Sequence, residues 1–147
     1  MSSDPRQSKD AARAGRVGLR LWHCFFLAFL LVAPVIALVR VEAFGKPLLA
    51  VAIVFGVSLA AIVAHGIDKR RAEAERWRLP ENLLHLLELL GGWPGAFLAQ
   101  RIFRHKTAKV SYQGVFWLIV TAYEYAAVDF LLGWKLARWL GHFVNIR

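Results

Sequence analysis

Glu81, His85 and Glu88 stand four and three residues apart in the run LPENLLHLLELLGGWPG (79–95), so a helix there carries all three on one face. A carboxylate beside an imidazole is raw material for acid–base chemistry, because the acid orients the ring and stabilises its charged form. The same spacing sets metal ligands on a helix, but His65, His85 and His105 come with no tight ligand motif. Neither a metal site nor a cofactor is expected. Glu124 is the third candidate acid or base, in the middle of a long apolar run, and Gln113 shares its helical face. An ionised carboxylate at membrane depth costs roughly 2.5–3.5 kcal/mol on insertion scales, so Glu88 and Glu124 each call for a partner or a proton. For Glu88 and His85 the plain alternative is a mutual hydrogen bond or a pair with the last helix, and for Glu124 a packing role. Glu81 has a plain reading too: it follows Pro80 in a first helical turn, where the helix dipole favours an acid. Ser58, His65 and Asp68 continue one face of an earlier helix, and a cation of the adjoining segment, such as Arg71, suits Asp68 as a partner.

A second constellation is basic. Arg104, His105, Lys106 and Thr107 follow the oily run, and Arg78 precedes it. Cations with a hydroxyl donor suit an anion such as phosphate through charge-assisted hydrogen bonds. The alternative is a solvated cap on the carboxyl end of a helix. The chain has no Walker glycine loop, nucleophile elbow or HExxH motif.

The elements that must position these residues are apolar. Of the 147 residues 58% are hydrophobic, well above the globular share, and they are gathered into long runs. LRLWHCFFLAFLLVAPVIALV (19–39) reads as a first membrane-crossing helix with Pro34 tolerated inside it. It is too long for a signal-peptide core and is followed by Arg40, which favours an anchor. Residues 47–66 read as a second crossing, with Gly56, Ser58, Ala60 and Ala61 small enough for close packing. Residues 67–78 form a basic connector, and 110–134 form the last long crossing. The organisation expected is a disordered basic cytoplasmic tail (1–18), a membrane domain (19–134) and an interfacial C-terminal helix (135–147). Cys24 is the single cysteine, so no intrachain disulfide forms.

The formal net charge is +9, and the basic residues stand between the apolar runs as juxtamembrane charges do. Arg6, Lys9, Arg13, Arg16 and Arg20 precede or open the first crossing, while the next loop holds only Arg40 and Lys46, which puts the amino terminus in the cytoplasm. The expected location is a bacterial inner membrane, multi-pass, with anionic lipid as the natural partner of the basic face. A nucleic-acid backbone is the weaker alternative for the same charge.

Residues 80–103 either cross the bilayer or turn back inside it, and the positive-inside rule accepts both. Pro80–Leu90 and Pro94–Phe103 are each roughly 15–17 Å long at about 1.5 Å per residue, near half the hydrocarbon thickness. Gly91 or Gly92 suits a left-handed helix end, and Pro94 suits a first turn. The expectation is an all-α membrane protein of three crossings plus a re-entrant helical hairpin, with four crossings as the alternative.

Asp68-Lys69, Arg78-Leu79-Pro80-Glu81, Leu86-Leu87 with Gly91-Gly92 and Gly95, and His105-Lys106-Thr107 together resemble the bacterial membrane family called Domain of Unknown Function 1294, over roughly residues 50–130. The resemblance implies an architecture and no mechanism. On the residues, the first expectation of function is a membrane module whose basic cytoplasmic face holds an anionic headgroup, another phosphate compound or a partner. The alternatives are a membrane-embedded enzyme on a lipid-linked substrate, with Glu88, His85 or Glu124 as acid or base, and a small transporter that must form a homo-oligomer.

Overall fold

The computed structural model describes residues 21–40, 47–75, 77, 79–103, 107 and 109–145, without the side chains of Pro47 and 142–145. The tail expected over 1–18 lies outside the described residues. Every element among those described is helical: α1 (Leu21–Arg40), α2 (Pro47–Glu73), α3 (Glu81–Leu87), a π-type turn (Glu88–Gly92), α4 (Trp93–Phe103), α5 (Val110–Leu131) and α6 (Lys135–Asn145). The fold class is the all-α one expected.

Helices α1, α2 and α5 are long and apolar enough to cross a membrane, with mean hydropathies of 2.4, 2.5 and 1.3. The 20 residues of α1 span about 30 Å, the thickness of a hydrocarbon core. At most 28% of the apolar stretch of any of the three is buried within the protein. Phe25, Phe29, Phe55 and Leu118 turn outward, as residues facing lipid do. Helix α2 runs further than the apolar run alone, to Glu73, because Lys69, Arg70, Arg71 and Ala72 favour helix and Lys69 Nζ meets Glu73 Oε1 at 3.6 Å one turn on.

Residues 81–103 fold back on themselves. Along α5 the contacts advance and then return. Glu81 meets Lys109, Glu88 meets Tyr112, and the Leu89 carbonyl accepts from Tyr123. Phe97 then meets Trp117, and Gln100 meets Gln113. Helix α2 shows the same path: Leu79 bonds Asp68, Gly91 lies against Val54, Gly95 against Ser58, and Phe103 against Gly66. The reversal is made at Gly91, whose φ of 102° is reached cheaply only without a Cβ. No separate loop is needed: Trp93, expected in the turn, is instead buried as the first residue of α4.

The hairpin is the wedge that joins the other helices. Helix α2 packs most heavily on α4, α1 packs on α5, and α1 and α2 meet sparsely. Gly95 makes this wedge possible, because a Cβ there would overlap the Ser58 backbone. The core drawn from all of them is Leu27, Ala61, Leu84, Trp93, Ala96, Phe97, Tyr112, Phe116 and Val120. Beyond α5 the chain turns through Gly133 and Trp134, both at positive φ, into α6. Asp129 is buried there, and its carboxylate accepts the Leu136 and Ala137 amides at 2.9 and 3.2 Å, two of the donors a helix start leaves without intrahelical partners.

Candidate functional site

Each of three elements brings at least one polar side chain to one buried point. From α2 comes His65, from the hairpin His85 and Glu88, and from the first turn of α5 Tyr112. His65 and Glu88 are 0% exposed and Tyr112 1%, while the His85 side chain retains 15%. A buried charge or dipole in such surroundings must be bonded, and these are. His65 Nδ1 donates to the Ala61 carbonyl one turn back at 2.9 Å, and Nε2 lies 3.0 Å from the Tyr112 hydroxyl. That hydroxyl lies 2.5 Å from Glu88 Oε1, and Glu88 Oε2 lies 2.7 Å from His85 Nδ1. The His85 ring stacks on the Tyr112 ring with centroids 4.3 Å apart. The four side chains thus form one chain of hydrogen bonds, from a backbone carbonyl inside the fold to a ring that reaches the surface.

The local sequence explains the placement. His85 and Glu88 share a face because they are three apart, across the junction of α3 with the π-type turn. His65 and Asp68 share the face of α2 that meets the hairpin, so both are buried. Asp68 Oδ1 accepts the Leu79 amide at 2.9 Å, tying the chain that enters the hairpin to α2. Lys109 Nζ meets Glu81 Oε1 at 2.7 Å, at the hairpin's first residue.

The sequence-derived candidates separate into groups. Glu88 and His85 come together. Glu124 does not join them: at twelve residues beyond Tyr112 it sits about 18 Å further along α5. Its Oε1 is buried with no hydrogen-bond partner among the described residues. Gln113 bonds Gln100 of α4 at 2.7 Å, so the stripe expected on α5 faces the hairpin at Gln113. Of the anion-binding candidates, Thr107 is exposed in the short connection before α5, and Arg78, Arg104, His105 and Lys106 lie outside the described residues. Asp68 accepts the Leu79 amide and Glu81 meets Lys109. Arg101, on the last turn of α4, stacks 3.4 Å over the Phe97 ring and donates to the Phe97 carbonyl.

Tyr112 was not legible as a site residue. In the sequence it is a tyrosine in the first turn of a membrane helix, where interfacial aromatics are common. Only the return of the hairpin buries its hydroxyl between His65 and Glu88.

Residues 58–112 match the model of the family described as Protein of unknown function (DUF1294), just over a third of the chain. The matched stretch starts at Ser58, on which Gly95 packs, and ends at Tyr112, so it contains all four members of the buried chain. The chain is also 37% identical over 57 residues to "Uncharacterized protein YsdA" of Bacillus subtilis (strain 168); that stretch is 39% of this chain and 64% of the relative, under two thirds of its length. No solved structure matches.

Proposed function

We propose that this chain is an integral protein of the bacterial inner membrane whose re-entrant hairpin carries a buried acid–base site for an anionic amphiphile. In this reading the amino terminus is cytoplasmic, α1, α2 and α5 cross, and residues 81–103 enter and leave on the cytoplasmic side. The pairing of Glu81 with Lys109 supports that topology, because it sets the start of the hairpin level with the start of α5. The tip of the hairpin lies against Val54 and Tyr123, whereas the hydroxyl that meets His65 and Glu88 belongs to Tyr112, in the first turn after Lys109, so the site opens toward the mouth, where a headgroup comes within reach.

The observation that carries the reading is the contact of Glu88 Oε2 with His85 Nδ1 at 2.7 Å. It fixes the proton on Nδ1 and leaves Nε2 as the basic nitrogen of a ring that is still partly exposed. A carboxylate behind an imidazole stabilises the charged ring as it takes a proton from a substrate hydroxyl or water. By sequence, Arg78, Arg104, His105 and Lys106 with Thr107 bring the charge and hydroxyl that suit a phosphate or another anionic headgroup. The partner is therefore a bilayer with an anionic or lipid-linked substrate.

The full chain, reconstituted in liposomes with phosphatidylglycerol and a polyprenyl phosphate, tests this by mass spectrometry of the lipids. Conversion that falls by about 10²-fold or more in His85→Gln supports an acid–base role. Binding of these lipids without conversion, weakened by Arg78→Ala and Lys106→Ala but not by His85→Gln, would replace it with a binding module. Movement of an ion or solute across the liposome would replace it with a transporter.

A further inference from the structure

The four contacts of the buried chain require four hydrogens, and the four side chains in their ordinary forms supply three. The Ala61 carbonyl only accepts, so His65 Nδ1 carries a proton. A neutral His65 then has a bare Nε2 facing the Tyr112 hydroxyl at 3.0 Å. Tyr112 has one hydrogen for its contacts with Nε2 and with Glu88 Oε1, the latter at 2.5 Å. His85 supplies the hydrogen of its own contact with Glu88 Oε2. If Tyr112 donates to Glu88, Nε2 must bring a hydrogen and His65 is an imidazolium. If Tyr112 donates to His65, Glu88 Oε1 must bring it and Glu88 is a neutral acid. With a neutral His65 and an ionised Glu88, one contact is left with two acceptors and no hydrogen.

We propose that His65, Tyr112 and Glu88 form a binding site for one proton, held on His65 or on Glu88 and passed between them by the Tyr112 hydroxyl. The transfer balances as a shift of two protons. As Glu88 Oε1 gives its proton to Tyr112 Oη, the Tyr112 proton passes to His65 Nε2, and the reverse shift restores the first form. Both forms carry the same total charge, which suits a site closed off in an apolar fold. His85, bonded to Glu88 and partly exposed, is the place where the stored proton exchanges with the outside. Tyr112 is a positioning residue, since without its oxygen His65 Nε2 and Glu88 Oε1 stand 4.0 Å apart.

Among the described residues the other charged groups around the site are Asp68 on α2, Glu81 on the hairpin, and Lys109 before α5, which pairs with Glu81. Arg101 at the end of α4 is engaged with Phe97. The two neighbouring carboxylates favour uptake of a positive charge, and Lys109 offsets one of them. The site deepens the acid–base reading above by naming where its proton is stored. It requires no substrate for its test, so it stands or falls separately from turnover.

The test is a proton inventory of the full chain in nanodiscs of phosphatidylglycerol and phosphatidylethanolamine. Nitrogen NMR of labelled histidine reports whether His65 carries one proton or two. The infrared carboxylic-acid band that disappears in Glu88→Gln reports whether Glu88 is protonated. At neutral pH the expected result is that the imidazolium fraction of His65 and the acid fraction of Glu88 add to one proton. On raising the pH both signals are lost together at one midpoint. In Tyr112→Phe the single midpoint splits into two. A neutral His65 beside an ionised Glu88 at neutral pH would overturn the proposal, and this readout on the unaltered protein decides even if Tyr112→Phe fails to fold.

Discussion

Lys109 Nζ lies 2.7 Å from Glu81 Oε1, so the residue that leads into α5 is fastened to the residue that opens the hairpin. The pair is partly solvated, with side chains 52% and 34% exposed, and is worth at most about 1 kcal/mol. Its meaning is geometric: twenty-eight residues after Glu81 the chain has come back to the level at which it set out.

That return predicts the sidedness of the connections. In a Cys24→Ala background, single cysteines at Arg71, Thr107 and Lys135 are challenged in intact cells with a membrane-impermeant thiol reagent. Thr107 is expected to be protected like Arg71, and Lys135 to be labelled. Labelling of Thr107 with protection of Lys135 would mean that residues 81–103 cross, and the proposed topology would be lost.

Gly95 predicts where the hairpin tolerates no added volume. A Cβ there would run into the Ser58 backbone, which cannot move aside as a flexible side chain would. Gly95→Ala is expected to destabilise by about 3 kcal/mol, the upper end of overpacking, seen as loss of folded protein in a thermal size-exclusion assay. Gly114→Ala is the control: a Cβ there meets nothing within 4 Å, and an exposed helical glycine gains roughly 0.5–1 kcal/mol on becoming alanine. Equal behaviour of the two variants would mean that α4 does not approach α2 so closely.

The outline of the fold was legible because it follows from periods and lengths. Three long apolar runs gave three helices, and the run ending in Gly91-Gly92-Trp93-Pro94 announced a reversal between two short arms. The site was half legible: His85 and Glu88 share a helix face by spacing alone. His65 and Tyr112 are separated from Glu88 by 23 and 24 residues, and their meeting depends on Gly95 letting the hairpin against α2. No local pattern encodes that. Glu124 shows the converse, since a carboxylate in an apolar run reads as a site residue whether or not its fold brings it a neighbour.

Two tyrosines on α5 make a sharp comparison. The Tyr112 hydroxyl serves His65 and Glu88, both fully buried, whereas the Tyr123 hydroxyl donates to one carbonyl, that of Leu89, at 2.6 Å. Tyr112→Phe leaves buried polar atoms short of a partner and is expected to cost about 2–3 kcal/mol, against about 1 kcal/mol for Tyr123→Phe. Denaturation of the purified variants in mild detergent checks the order. If Tyr123→Phe is the more damaging change, the hairpin tip and not the buried chain holds the fold together.

Asp129 makes a prediction at the far end of α5. Its two carboxylate oxygens accept the Leu136 and Ala137 amides at the start of α6, so it fixes how that helix leaves α5. Losing a cap of this kind costs about 1 kcal/mol, which raises amide exchange at the capped positions about fivefold. Asp129→Ala is therefore expected to speed hydrogen exchange at Leu136 and Ala137 by about that factor, with exchange along α2 unchanged. Asp129→Asn keeps one acceptor oxygen and should fall between the two. Because Trp139 and Leu140 on α6 are exposed beside Lys135 and Arg138, the helix suits a bilayer surface once its start is held. Adding anionic vesicles should slow exchange along the whole of α6 in the unaltered protein and less so in Asp129→Ala. Equal protection in both would show that the membrane, and not Asp129, sets the direction of the helix.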